Sequence, residues 1–395
     1  MQSSKFLYLL FSTTYIDRWN DQIRAVEFNE LDKQAHKMVI TYVLSKIEEK
    51  ENKIKIDYKK LINYGICEFI YRAVLTDLKP QVFHHLKKHK KNELDEFVKN
   101  EIFEIIDDKL KTIFIEYLNS DENEIERRIL SAASFLATKW EFDKIYNFSP
   151  NGFEKDEIKR KLEFEVEDFF DLVGVRRIEF GSKTKNFLEI CATLRFQKRW
   201  SKTPRLPQTS VLGHMLMVGV FSYLFSLEYG SSDKKLVNNF WVGLFHDIPE
   251  ALTRDIISPI KYGVKGLDKI LSEYEKEIIE DKLLPFLPNY MRDEMRYFIV
   301  DEFANKINLD GKIKKIDDYN LMYSKFNKDK FNGIDGSLIK VGDNLGAFIE
   351  AVASIKNGVS PKELVEAKNN LLKKYKNFEM YGIDFDKIFK NLEKD

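Results

Sequence analysis

The second half of the chain contains the residue types that bind a divalent metal ion. It has two of the six histidines, His214 and His246, and Asp247 directly follows the second. A neutral imidazole and an adjacent carboxylate offer nitrogen and oxygen ligands from neighbouring positions, which suits Mn, Fe, Co, Ni or Zn. A His-Asp doublet also occurs as a surface or capping pair, so its surroundings decide between the two interpretations.

Several further carboxylates accompany the doublet. Glu250 and Asp255 follow it closely, and Asp343 lies on an otherwise apolar helical stretch. A buried carboxylate without a partner is costly, so Asp343 at that place indicates a cation or a metal. The adjacent pair Asp317 and Asp318 is a competing candidate for the role of Asp343.

Helices are predicted to position these side chains. The 395 residues are 44% apolar and 32% charged, which is typical of a folded protein of about two domains. Apolar residues recur at three- and four-residue spacing, and strand-like alternation is nearly absent. The clearest helical segments are 214–227, 235–245, 268–284, 338–355 and 362–375. The prediction is an all-α fold.

Charge and hydropathy exclude several classes of function. Lys and Arg balance Asp and Glu at 64 each, so no overall field directs the chain to nucleic acid or an anionic membrane. The longest apolar stretch, 215–227, is shorter than the roughly 20 residues that span a bilayer. The two cysteines, Cys67 and Cys191, form no CxxC pair. We therefore expect a cytoplasmic protein without a disulfide framework.

The two halves of the chain share landmarks in the same order. An Arg-Trp dipeptide occurs at 18–19 and again at 199–200, and His36 precedes Glu68 by the same separation as the two second-half histidines. This order predicts a tandem duplication of helical domains. The alternative is that two helical domains share these short landmarks by chance.

The repeat predicts one domain at 1–180 and a second at 181–395, with an insertion near 308–336 in the second. Glu68 and Phe69 stand where the His-Asp doublet is expected in the first half. The first half is therefore predicted to be a degenerate copy without a metal site.

The order of histidines and carboxylates resembles the HD-domain metal-dependent phosphohydrolases. Within that superfamily, three features most resemble the bacterial 5′-deoxynucleotidases. These are the Arg-Trp pair before the first histidine, an HDxxExxxxD segment followed by PxKY, and an LxKxxDxLxAFxE-like helix. The resemblance covers roughly 195–375 and implies two tandem HD-like domains in this chain, the first degenerate.

The resemblance also assigns roles to individual residues. One divalent ion, which is Mn, Co, Fe, Ni, Zn or Mg, is bound by four ligands. These are His214, His246, Asp247 and Asp343. Glu250 is the general acid/base, and Asp255 orients the attacking water or the sugar hydroxyl. Arg199 holds the substrate phosphate through a planar, charge-assisted contact. Trp200 lines the sugar side and disfavours a ribose 2′-hydroxyl.

The implied function is hydrolysis of a nucleotide, with a (deoxy)nucleoside 5′-monophosphate as the leading substrate. Two alternatives stay open: a nucleoside triphosphate or signalling-nucleotide hydrolase, and a metal-containing regulatory protein that binds nucleotides. Because single-domain relatives assemble as dimers, we expect the first half to take the place of a second subunit, as an intrachain pseudo-dimer.

Overall fold

The computed structural model describes residues 3–76, 78, 80–149, 152–254 and 267–394, and helices dominate them. The all-α prediction is confirmed. Asp255, a predicted site residue, lies outside the described residues.

The described part of the first half contains α1 (Ser4–Ser12), α2 (Glu30–Glu51), α3 (Tyr58–Leu75), α4 (Pro80–Ile102), α5 (Asp108–Asn119), α6 (Ile125–Phe148), α7 (Lys155–Glu165) and α8 (Val173–Glu179). The second half contains α9 (Lys183–Thr193), α10 (Val211–Glu228), α11 (Asp233–Phe245), α12 (Glu250–Thr253), α13 (Leu267–Ile278), α14 (Asn289–Ile299), α15 (Tyr319–Ser324), α16 (Gly336–Lys356), α17 (Lys362–Lys374) and α18 (Phe385–Lys394).

Strands among the described residues form three small antiparallel pairs. They are β1 (Asp17–Arg18) with β2 (Phe28–Asn29), β3 (Lys306–Leu309) with β4 (Lys312–Lys315), and β5 (Glu379–Met380) with β6 (Ile383–Asp384). The stretch 308–336 includes β4 and α15, and its buried side chains form a small cluster of their own around Met322.

The helix α10 is the centre of the second half. Ser210 caps its first turn by accepting a hydrogen bond from the Gly213 N–H at 2.9 Å. The helix is apolar on all sides and long enough to cross a membrane by composition, but 89% of it is buried inside the protein. It packs against α2, α11 and α16, as expected of a central core helix.

Two glycines bring α10 and α11 into close contact. A Cβ atom on Gly243 would lie only 2.7 Å from the Cα of Gly219. The backbones can approach this closely because neither residue has a side chain. His246 directly follows α11, so this crossing sets its distance from α10.

The two halves repeat the same local geometry around their Arg-Trp dipeptides. Trp19 and Trp200 both have a φ of 57°, in the left-handed region. Asp17 pairs with Asn29 in an antiparallel bridge, and Lys198 pairs with Ser210 in the same way. Asn29 and Ser210 each cap the helix that follows them.

This geometry changes one predicted correspondence. His214 lies four residues after its cap, Ser210, and the residue four positions after Asn29 is Lys33. His36, which the spacing pairs with His214, lies one helical turn further along α2. The pairing of His36 with His214 is therefore wrong by three positions.

Candidate metal centre

Three helices bring His214, His246 and Asp343 together. Their ligand atoms all lie within 4.8 Å of one another. His214 is in the first turn of α10, His246 follows α11, and Asp343 is in α16. The His214 Nε2 atom is 3.0 Å from the Asp343 Oδ1 atom, and the two imidazole centroids are 5.5 Å apart.

A glycine makes room for the first of these rings. Gly346 follows Asp343 by one turn of α16, and a Cβ atom there would lie 2.9 Å from two atoms of the His214 imidazole. Because no side chain stands at this position, the ring can lie flat against α16 beside Asp343.

Asp247, the fourth predicted ligand, lies at the edge of this group. Its Oδ2 atom is 3.0 Å from the His246 Nε2 atom and 3.9 Å from a terminal nitrogen of Arg199. It is not one of the three residues whose ligand atoms lie within 4.8 Å of one another.

The His246 ring is oriented as a metal ligand. Its Nδ1 atom is 2.8 Å from the Gly243 carbonyl oxygen, and a carbonyl can only accept, so Nδ1 carries the proton. The Nε2 atom faces the Asp247 Oδ2 atom at 3.0 Å. Two acceptor atoms at this distance require a proton or a cation between them, and a histidine fixed through Nδ1 in this way fits a divalent metal ion.

The charge states of His214 and Asp343 also fit a metal, whereas the pKa of His246 is raised, because the effect of burial is outweighed by the charge of Asp247. Burial, together with the nearby positive charge of Arg199, lowers the pKa of His214, which keeps its imidazole neutral. Burial would raise the pKa of Asp343, but the hydrogen bond with His214 and the charge of Lys340 hold it well below its usual range. Neutral imidazoles and ionised carboxylates are the forms that bind metals.

A buried glutamate fixes the Arg-Trp pair beside this centre. The Arg199 Nε–H donates to the Glu350 Oε2 atom at 3.2 Å, and the Trp200 Nε1–H donates to the same oxygen at 2.8 Å. The Thr209 hydroxyl donates to the other oxygen at 2.5 Å. Burial alone would raise the pKa of Glu350, but the charges of Arg199 and then Arg205 lower it to about 2.

Replacing Glu350 by Gln should make the protein less stable at neutral pH. The folded pKa of about 2 is depressed from 4.5, so the stabilisation is present above pH 4.5 and is lost as the pH falls toward 2. A shift of this size corresponds to about 3 kcal/mol. Urea unfolding at several pH values should show the two proteins converging as the pH decreases. A constant difference across this range would contradict the role of the Glu350 charge.

Three residues near the centre have no role in the sequence-based prediction. The Lys340 Nζ atom is 2.7 Å from the second carboxylate oxygen of Asp343 and 4.1 Å from the centroid of the Phe303 ring. That ring lies 5.8 Å from the His246 ring. Glu302 precedes it, and burial raises the pKa of this carboxyl group. The Lys of the LxKxxD pattern was the only sequence signal for any of them.

The remaining predicted residues are placed only in part. Glu250 begins α12, and its carbonyl oxygen accepts a hydrogen bond from the Gln197 side chain at 3.0 Å. Asp318, from the competing acidic pair, caps α15 by accepting from the Asn320 N–H at 2.9 Å. It is Asp343 that the structure brings to the histidines.

Comparisons with known proteins place an HD domain at residues 191–372. The chain is 27% identical over 129 residues to a 5′-deoxynucleotidase of Vibrio atlanticus, which covers 31% of this chain and 65% of that relative. It is 26% identical over 125 residues to a 5′-deoxynucleotidase of Vibrio cholerae serotype O1, which covers 30% of this chain and 63% of that relative. It is 24% identical over 121 residues to a 5′-deoxynucleotidase of Shewanella oneidensis, which covers 29% of this chain and 60% of that relative.

The chain therefore spans less than two thirds of the length of each of these relatives. The HD-domain match includes α10, α11 and α16, the helices that bring the two histidines and Asp343 together. Residues 191–372 of this chain form an HD domain, and together with the three relatives this match supports an assignment to the HD-domain phosphohydrolases, with similarity to 5′-deoxynucleotidases.

Proposed function

We propose that the protein releases phosphate from nucleotides, with (deoxy)nucleoside 5′-monophosphates as its substrates. The observation that carries the proposal is the convergence of His214, His246 and Asp343 next to Arg199. The names of the three relatives support the same substrate class.

In this proposal each residue has a defined task. His214, His246, Asp247 and Asp343 hold one divalent ion, which supplies an activated water and polarises a phosphoryl oxygen. Glu250 transfers the proton, and Asp255 orients the water or the sugar hydroxyl.

Arg199 is held in the orientation that phosphate binding requires. Its Nε–H donates a hydrogen bond to Glu350, and one of its terminal nitrogens is 3.9 Å from the Asp247 Oδ2 atom. The guanidinium group is therefore fixed with one edge toward the metal ligands, where a phosphate can accept two parallel hydrogen bonds. Trp200 shares the same glutamate and lies beside the position of the sugar.

A panel of substrates would test this proposal. Purified protein with Mn²⁺ or Co²⁺ should release inorganic phosphate from deoxynucleoside 5′-monophosphates faster than from ribonucleotides, triphosphates or signalling nucleotides. Preferred cleavage of triphosphates would favour the second hydrolase function instead. Nucleotide binding without phosphate release from any member of the panel would favour a regulatory binding protein.

We further propose that residues 1–180 are a degenerate HD-like copy. Lys33, at the position of His214, donates a hydrogen bond to the Ser134 hydroxyl at 2.6 Å. Ser134 precedes Glu141 by seven residues, as Asp343 precedes Glu350, and Glu141 accepts from Arg18 and Trp19 at 2.9 and 3.0 Å. A lysine and a serine thus replace a histidine and an aspartate.

A carboxylate of the protein itself fills the anion position in this copy. Glu30 is fully buried, and the Arg18 guanidinium donates to it at 2.7 Å. At the corresponding position the second half has Val211, which leaves Arg199 without this second carboxylate. Because Arg18 is bound between Glu30 and Glu141, a phosphate has no free edge of the guanidinium to contact.

Contacts between the halves support the pseudo-dimer. Tyr42 and Tyr223 lie at the same separation from the residue that caps their helix, Asn29 in α2 and Ser210 in α10, and each contacts the following helix of the other half. The Tyr223 hydroxyl donates to Asn63 at 2.6 Å, and the Tyr42 ring packs edge-on against Trp241 at 5.2 Å. Such reciprocal pairs are the pattern of an isologous interface.

If the first half replaces a subunit, a fragment of residues 181–395 should not remain a stable monomer. Removing the first half exposes the apolar face of α10 and α11 that packs against α2 and α3, and such faces associate in water. Light scattering of the fragment should show aggregates or a new homodimer. A monomeric fragment with full activity would show that the first half is an independent module.

A further inference from the structure

Lys340 is a charged side chain at the metal centre that the proposed mechanism does not use. It precedes Asp343 by one turn of α16, and its Nζ atom is 2.7 Å from the Asp343 Oδ2 atom. The Oδ1 atom of the same carboxylate faces His214 at 3.0 Å. The lysine side chain is 43% exposed, so its ammonium group is reachable from solvent.

The ammonium group also contacts an aromatic ring. It lies 4.1 Å from the centroid of the Phe303 ring, a cation–π contact. The loop that carries Phe303 is fixed to the start of α16, because the Asn305 amide exchanges two hydrogen bonds of 2.9 Å with Ser337. The Phe303 ring therefore supports the lysine beside Asp343.

The charges at the centre leave this lysine uncompensated once a metal is bound. Two ligand carboxylates, Asp247 and Asp343, balance a divalent ion. The charge of Arg199 is balanced by Glu350, which is 2% exposed. Among the residues that the structure describes, no carboxylate other than Asp343 forms an ion pair with Lys340. A phosphate monoester, whose second pKa is about 6, carries nearly two negative charges at neutral pH.

A second lysine adds to the positive charge on this side. Lys374 ends α17, and the following residue, Tyr375, accepts a hydrogen bond from the Asn344 side chain at 2.7 Å, next to Asp343. Burial, and then the charge of Lys340, lowers the pKa of Lys374. In the first half the position of Lys340 is occupied by Ser131, so this feature occurs only in the half with the metal ligands.

We propose that Lys340 binds the phosphate of the substrate together with Arg199, and that it selects dianionic phosphate monoesters over monoanionic diesters. The inference rests on the proposed function. When substrate is present, the ammonium group exchanges its contact with the Asp343 Oδ2 atom for a phosphate oxygen, while Asp343 stays a metal ligand.

The test compares metal binding with phosphate binding. In Lys340→Gln, calorimetry should show Mn²⁺ affinity that is unchanged or higher, because a competing cation is gone. Binding of inorganic phosphate to the Mn²⁺-loaded protein should weaken about 10-fold, as expected for one lost charge-assisted hydrogen bond. Lys340→Arg should restore most of the phosphate affinity. Lys356→Gln, at the far end of the same helix, is the matched control and should change neither.

Each result decides the inference. Unchanged phosphate affinity in Lys340→Gln would overturn it, and a loss of Mn²⁺ would show instead that the lysine positions Asp343. If the unmodified Mn²⁺-loaded protein bound no phosphate and hydrolysed no nucleotide, the proposed function itself would fail. If it hydrolysed phosphate diesters as well as monoesters, only the selectivity assigned to Lys340 would fail.

Discussion

Replacing His246 by Ala should abolish metal-dependent phosphate release and reduce the bound metal from about one ion per chain toward none. The imidazole is fixed by its contact with the Gly243 carbonyl oxygen, and its Nε2 atom faces the Asp247 carboxylate at 3.0 Å. In the part of the chain that the structure describes, His214 and Asp343 are already members of the group, so neither can replace this nitrogen. Elemental analysis after dialysis, with an assay of phosphate release, measures both effects.

His36 offers a matched control for this experiment. It is also buried with unpartnered ring nitrogens, and it packs edge-on against Trp140 at 5.2 Å. Burial lowers its pKa well below the usual value. His36→Ala should leave the metal content unchanged, although it removes a core side chain and lowers stability. If His246→Ala kept its full metal content, the assignment of a metal centre to His214, His246 and Asp343 would be wrong.

The helices and most of the centre could be predicted because the residues carry a strong local signal. Asp343 is conspicuous as a carboxylate on an apolar face, and the face is buried as that pattern requires. The correspondence of His36 with His214 failed for a physical reason. The helix α2 has 22 residues and α10 has 18, so equal separations along the chain do not mark equal positions in space.

Other parts of the centre could not be predicted from local patterns. Phe303 follows α14 in a loop, and only the tertiary fold brings it to 5.8 Å from the His246 ring. The role of Glu350 depends on two hydrogen-bond donors that lie about 150 residues earlier in the chain, at Arg199 and Trp200. Periodicity places a residue on a helix face, but it does not identify the loop that packs against it.

The same contact of an arginine and a tryptophan with a buried glutamate occurs in both halves, so it is a structural feature that does not depend on the metal ligands. Glu141 and Glu350 fix the same pair of side chains in the two halves, so this contact alone does not make a phosphate site. The difference lies in what else the arginine contacts. Arg18 also binds the buried Glu30, whereas Arg199 faces Asp247, the proposed fourth metal ligand. On this comparison, restoring activity to the first half would require more than adding histidines.

Replacing Glu250 by Ala should lower the rate of phosphate release about 10²- to 10⁴-fold, the range for loss of a general acid/base. The residue follows Asp247 by less than one helical turn, and its carbonyl oxygen accepts from Gln197, two residues before Arg199. In the proposed function it transfers a proton and is not a metal ligand. Metal content and phosphate affinity should be unchanged, which distinguishes this variant from His246→Ala. An unchanged rate would mean that Glu250 is only the first residue of the short helix α12, and that the proton passes through another group. The half-buried Glu302, near His246 and Asp247, is then the next carboxyl group to replace.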